Sequence, residues 1–321
     1  MRAIAIEEAF THPPVRQAAD RFGPFRDQAH WRDIEKKLED LGETRLADMD
    51  AAGIDVQVIS HTPPGPESLA PVQARILARE ANDALAQAVA AHPDRFAGFA
   101  ALPMSDPAAA ADELERAVKV LGFRGALVNG MVQDRFLDHP VFEPVLARAE
   151  SLGVPLYIHP SFPPQSVMDA YYGGLDPLHS LFMSTAAWGW HSETGVHTLR
   201  MIISGVFDRH PGLQLIIGHM GEMLPFMLAR ADHVLTPVSP KLRQRVADYF
   251  QTNIWITTSG FFTHAPFQCA MSVIGASRIL FAVDYPFSTN RAGRAFLDSA
   301  AISEADRAKI AHGNAEHLLR L

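Results

Sequence analysis

Short aliphatic or β-branched runs alternate along this chain with longer stretches whose apolar residues recur at helical spacing, which predicts βα units around a parallel sheet. The runs that read as strands are Ala3 to Ile6, Val56 to Ser60, Phe96 to Ala101, Gly125 to Val128, Pro155 to Ile158, Leu215 to Gly218, Ile254 to Thr258 and Ile279 to Val283. Between them the periodicity predicts helices over Ile34 to Ala52, Pro71 to His92, Pro107 to Leu121 and Pro140 to Leu152. Proline stands near several starts, and Gly53, Gly122 and Gly153 follow the ends. Eight such strands with helices between them predict a closed (β/α)8 barrel of the TIM type, formed by residues 1–321 as a single domain. The competing arrangement is an open, doubly wound α/β sheet. Its nucleotide-binding signatures are missing, since no GxGxxG follows a strand and no GxxxxGK[ST] occurs. Two segments do not read as staves. Thr11 to Trp31, with Pro13, Pro14, Gly23 and Pro24, predicts an extended irregular loop after the first strand. Ser161 to Gly189, rich in Pro, Gly, Met and aromatics, predicts a lid-like insertion after the fifth.

Composition narrows the function. The formal net charge is -8 and Lys and Arg are scattered without a basic run, so nucleic acid is not expected as a partner. Cys269 is the single cysteine, which excludes an intrachain disulfide, a thiolate metal cluster and a CxxC redox pair. The opening MRAIAIEEAF has too short an apolar stretch for a signal peptide, and no apolar run is long enough to span a bilayer. These features predict a cytoplasmic protein with no membrane partner.

Barrel active sites form at the carboxyl ends of the strands, so ionisable residues that terminate apolar runs are the ones to collect. AIAI runs into Glu7, PLYI into His159, LIIG into His219 and ILFAV into Asp284. Each alone has a structural explanation: a solvated strand end, a loop or core histidine, a cap for the next segment. Together they suggest convergence on a divalent cation, because buried strands have little other reason to end repeatedly in charge. Carboxylates with imidazole make a mixed O/N donor set that suits Zn2+ or Mn2+. In GHMGEMLPFMLARAD, Glu222 follows His219 by three residues and can orient its imidazole, giving an acid–base pair. Arg230 lies further along what reads as the same helix, where it could bridge a substrate carboxylate or pair with Asp232.

Taken with AIEEAF, ETRLADMDAAGID, LGFRGALVNG, PLYIHPS, ETGVHTLRMIISGVFDRHPGLQLIIGHMGE, ITTSG and RILFAVDYPF, the chain resembles the aromatic-acid decarboxylases of the amidohydrolase superfamily over nearly its whole length. The resemblance implies that Glu7, His159 and Asp284 bind one divalent metal ion, Zn2+ or Mn2+, beside a catalytic His219–Glu222 pair. Most amidohydrolases open with His-x-His; here Glu7-Glu8-Ala9 stands in that place, so Ala9 replaces the second ligand. That form favours a single metal and a decarboxylase. Arg230 and Thr62, the latter in the loop His61 to Gly65, match substrate contacts, and Ala9 is grouped with them. Some relatives carry an Arg where this chain has His30 and Trp31.

The implied reaction is non-oxidative loss of CO2 from an ortho-hydroxylated aromatic acid, with Asp284 as first and His219 as second choice of proton donor. Phe162, Met168, Phe182 and Met183 are either walls for the ring or ordinary packing. The alternatives are a metal-dependent hydrolase of a lactone or amide on the same ligands, and a binding subunit without chemistry. A homo-oligomer, dimer or tetramer, is expected.

Overall fold

A computed structural model describes residues 1–19 and 29–321, apart from the side chains of residues 29 and 30. Its strands are β1 (Ile4–Phe10), β2 (Val56–His61), β3 (Phe96–Gly98), β4 (Ala100–Ala101), β5 (Ala126–Asn129), β6 (Leu156–His159), β7 (Leu215–Ile217), β8 (Ile254–Thr257) and β9 (Ile279–Leu280). Neighbours in sequence pair in parallel. β3 and β4 are halves of one stave interrupted at Phe99, whose N–H still donates to the carbonyl of Ile59 at 2.9 Å. The ring closes where Ile6 bridges Ala282 and its N–H donates to the carbonyl of Phe281 at 3.1 Å. Eight staves therefore form a (β/α)8 barrel, and the open sheet is excluded.

Strand alternation sorts the apolar residues into two layers. Ile4, Ile6, Val58, Leu127, Tyr157, Ile216 and Leu280 belong to a core inside the barrel, capped by Leu319 of the last helix. Ala5, Ile59, Val128, Ile158, Ile217, Ile256 and Phe281 belong to the larger core between barrel and helices. The same alternation carries the inward positions of the next layer to Asn129, His159 and Thr257, so the interior turns from hydrocarbon to polar within one residue pair of the strand ends. The helices bury one stripe each: in Pro71–Ala91 the enclosed positions are Ala74, Leu77, Ala78, Ala81, Asn82 and Leu85.

Three expectations need correction. β1 continues past Ile6 to Phe10, because Glu7 and Glu8 find partners inside the protein and need no solvent. The expected helix Ile34 to Ala52 is two helices, Ala29–Glu39 and Glu43–Ala52. They are separated where the Asp40 carboxylate accepts from the N–H groups of Gly42 and Arg45, at 2.9 and 2.7 Å, a local alternative to the helix ladder. The segment Thr11 to Trp31 is not an irregular loop throughout. Residues Pro13–Ala19 are helical, and the helix Ala29–Glu39 begins before Trp31; the expectation for Gly23 and Pro24 lies outside the described residues.

Arg45 fastens this region to the barrel. Its guanidinium is fully enclosed and donates to the carbonyls of Ala9 (2.7 Å), Asp40 (2.8 Å) and Lys37 (3.1 Å) and to Gln57 Oε1 (3.2 Å), with Tyr285 beneath it at 4.9 Å. Arg45→Met would keep the apolar contact and orphan the acceptors. Leaving a buried acceptor unsatisfied costs about 1–3 kcal/mol, so denaturant unfolding of this variant is expected to show a destabilisation of at least that order, and an unchanged midpoint would contradict the assigned role.

Candidate metal and acid–base site

The first site residue owes its position to a defect in pairing. The register of β1 on β2 slips between Ile6 and Glu8, and Glu7 has φ +68°. This bulge lets Ile6 and Glu7 both face the barrel axis. Glu8 then turns outward, where its carboxylate accepts from the N–H groups of Val283 (2.8 Å) and Tyr285 (3.1 Å). Burial pushes Glu8 up to about 8. On the inner side, Oε2 of Glu7 accepts from the hydroxyls of Tyr157 and, at 3.0 Å, Thr257, while Oε1 is buried without a hydrogen-bond partner among the described residues. Gly218 permits this approach, because a Cβ there would lie 2.8 Å from Glu7 Oε1.

His159 ends β6, with Nδ1 2.7 Å from the carbonyl of Pro160. A carbonyl only accepts, so Nδ1 carries the proton and Nε2 presents a lone pair, 3.6 Å from Glu7 Oε1. His219 is arranged alike: Nδ1 donates to Glu222 Oε1 at 2.8 Å, and Nε2 lies 3.6 Å from Glu7 Oε1 and 4.0 Å from Asp284 Oδ2. The four strand-end residues singled out in the sequence thus meet at one mouth of the barrel. The donor atoms of Glu7, His159 and His219 lie within 4.8 Å of one another. Asp284 joins through His219 and has φ +69°.

Burial dominates the electrostatics. It raises Glu7 to about 7 despite the nearby His219, and it raises Asp284 well above the carboxylate range. It lowers His159 to about 3, helped by repulsion from His219. Burial also opposes the charged forms of Glu222 and His219. The acids around His219 outweigh it and lift this group to about 10, while His219 and the bond from His191 bring Glu222 down to about 2. The protein alone leaves Glu7 and Asp284 short of positive charge. The lone pair of His159 Nε2 and the orphaned Oε1 of Glu7 face the same point, which fits a divalent cation.

A cavity of about 310 Å³ opens over this cluster, with His159, His219 and Asp284 at its floor and Trp31, Leu38, Thr62, Phe182, Trp190, Phe261 and Phe287 among its walls. Thr62 lines the cavity, and its buried Oγ1 has no hydrogen-bond partner among the described residues. Phe182 belongs to the insertion after β6. Ala9 does not line the cavity; it packs one layer below, against Ile34, Leu38 and Trp31. Arg230 is exposed and lies on a second cavity behind the first. The sequence pattern puts it on one helix with Glu222, but His219, Met220, Gly221, Glu222 and Met223 all have φ between +48° and +82°. The α-helix starts only at Leu224, so counting from Glu222 does not set the face of Arg230. Asp232 is paired with Arg245 instead. His191, not anticipated from sequence, donates to Glu222 Oε2 at 2.6 Å and lines the cavity.

This fold with this cluster defines a metal-site barrel, and the chain belongs to the amidohydrolase family, whose model matches residues 11–321. It is 40% identical over 332 residues to a γ-resorcylate decarboxylase of Rhizobium sp. (strain MTP-10005), covering 99% of this chain and 98% of that one. Among solved structures it resembles a dihydroxybenzoic acid decarboxylase from Polaromonas sp. JS666 with bound manganese and the inhibitor 2-nitroresorcinol: TM-score 0.88, 40% identity, 100% of this chain and 97% of that chain. It also resembles a 5-carboxyvanillate decarboxylase from Novosphingobium aromaticivorans complexed with manganese and 4-hydroxy-3-methoxy-5-nitrobenzoic acid: TM-score 0.91, 33% identity, 100% and 96%.

Behind the Thr62 wall, Glu67 accepts from the N–H of Gly65 at 3.0 Å and is raised by burial to about 7. A carboxyl with its folded pKa above the unfolded one contributes stability at low pH that is lost as pH rises through the folded value. The wild type is therefore expected to lose on the order of 3 kcal/mol between about pH 5 and pH 8 relative to Glu67→Gln. Urea unfolding of both proteins at the two pH values tests this; parallel pH profiles would refute it.

Proposed function

We propose that this protein is a metal-dependent carboxy-lyase that removes CO2 non-oxidatively from an ortho-hydroxylated aromatic carboxylic acid. The observation that carries the reading is the convergence of Glu7, His159, His219 and Asp284 beneath a mostly apolar cavity of ring size, in a chain closely similar to hydroxybenzoate decarboxylases. Glu7, His159 and Asp284 would hold the cation, and manganese in two similar structures favours Mn2+ over Zn2+. When bound, the cation supplies the positive charge that draws in the carboxylate and the ortho oxygen and favours ionisation of the phenol.

The remaining work belongs to side chains. Direct loss of CO2 would leave an aryl carbanion, so the ring carbon bearing the carboxylate is protonated first. Asp284 is assigned as donor: it lies at the cavity floor, takes up the proton as the phenol ionises and passes it to the ring carbon. The C–C bond to the carboxylate then breaks, its electron pair restores the aromatic ring, and CO2 leaves. His219, oriented by Glu222, stands beside Asp284 to return the proton. Thr62 donates to or accepts from a ring oxygen. Aromatic walls fix the ring plane.

Copies of the chain are proposed to associate through the helix Leu224–Leu235 and its exit, where Phe226 (82% exposed), Met227, Val234 and Val238 are bare. Among the described residues, no helix is long and apolar enough to cross a membrane.

A panel of salicylate-type acids is expected to give the matching phenols and one CO2 per turnover. A chelator should abolish the reaction and Mn2+ restore it, and Asp284→Asn should lower kcat by about 10²–10⁴-fold. Turnover of lactones alone would overturn the assignment in favour of a hydrolase. Phe226→Glu should shift the mass in solution toward the monomer; a wild-type protein already monomeric would refute association.

A further inference from the structure

We infer that His191 is a positioning residue of the acid–base pair: by holding the second oxygen of Glu222 it fixes the orientation and tautomer of His219. The inference rests on the reading of His219 and Glu222 as that pair. Nothing in it depends on which acid is the substrate.

The Glu222 carboxylate is enclosed, and each oxygen meets one ring nitrogen, Nδ1 of His219 at 2.8 Å and Nδ1 of His191 at 2.6 Å. A carboxylate held at one oxygen can rotate about its last torsion; held at both by two packed rings, it cannot. The restraint has to come from side chains, because the backbone from His219 to Met223 is left-handed throughout and cannot hold Glu222 by a helix ladder. A separate helix starts at Leu224. His191 comes from the first turn of another one, Gly189–Ile203, and is rigid in its own right. Its Nε2 lies 2.9 Å from the carbonyl of Ala186, and its ring packs at 5.1 Å on His219 and 5.3 Å on Phe261.

Each nitrogen of His191 faces an oxygen acceptor, Nδ1 the Glu222 carboxylate and Nε2 the Ala186 carbonyl. With both committed, the ring has no nitrogen left for a ligand, even though its edge lines the cavity. His191 therefore acts through Glu222. His191 lines both cavities and Glu222 the second, so the His191 ring stands between the two spaces.

The test compares His191→Leu, which keeps bulk and removes both nitrogens, with His191→Gln, which can restore a donor to Glu222. Two readouts are taken: kcat and KM of Mn2+-loaded protein on an acid the wild type decarboxylates, and the low-field Nδ1–H resonance of His219 in 15N-histidine-labelled protein loaded with diamagnetic Zn2+. The leucine variant is expected to lose about 10–100-fold in kcat, with KM within about twofold, and to shift or broaden the resonance; glutamine should recover both in large part. Unchanged kcat and resonance in the leucine variant would overturn the inference. So would a rise in KM alone, which marks a ligand contact, or a glutamine variant as defective as leucine. Should the leucine variant fail to fold, His191→Phe makes the same comparison. If the wild type decarboxylates nothing, the proposed function falls, and the resonance still decides the role of His191.

Discussion

A barrel strand offers every second side chain to the axis, and its backbone prefers extended conformations; several groups of like charge cannot be brought to one point on those terms alone. Here the backbone gives way at four chemical positions. Glu7, His219, Glu222 and Asp284 have φ of +68°, +48°, +53° and +69°. Each such residue other than glycine costs on the order of 1–3 kcal/mol, and they are gathered at one mouth of the barrel. The rest of the molecule supplies the constraint that keeps them there: two hydrocarbon layers inside and outside the ring, Arg45 tying the end of β1 to the helices that follow it, and Glu8 clasping the last stave.

Charge follows the same logic. The site encloses three carboxylates, and the protein neutralises them unequally. Glu222 lies between two histidines and is held low, whereas Glu7 and Asp284 are raised by burial. One acid is therefore a fixed anion that orients imidazoles, and the other two are matched either by protons or by a cation. Unequal environments of this kind separate structural from reactive carboxylates within a few ångströms.

The elements legible in the sequence were those whose signal is local. All eight staves fall within the expected runs to within a few residues, since a buried parallel strand is written as an apolar run. Glu7, His159, His219 and Asp284 were legible because each ends such a run. What was missed depends on tertiary contacts. The bulge at Glu7 has no glycine or proline to announce it. The break at Asp40–Gly42 needs a side chain accepting two N–H groups. The face of Arg230 depends on a left-handed run that helical periodicity treats as helix. His191 stands 31 positions before Glu222 on a different helix, and no spacing rule connects them.

The proposed chemistry also has to account for how an anionic substrate enters a site rich in carboxylates. Among the described residues lining the cavity, the guanidinium is that of Arg16, and it is bonded to Glu35 at 3.2 Å and Glu39 at 2.8 Å. Arg230 is exposed on the second cavity. Among the described residues, the positive charge that would meet a substrate carboxylate is that of the proposed cation at the floor, where the strand ends converge. This places the carboxylate, and with it the ring carbon that is to be protonated, next to Asp284 and His219. The unreactive edge of the ring is left to the apolar walls. Attraction and chemistry thus act at the same end of the substrate, which suits a reaction that breaks the bond to the carboxylate itself.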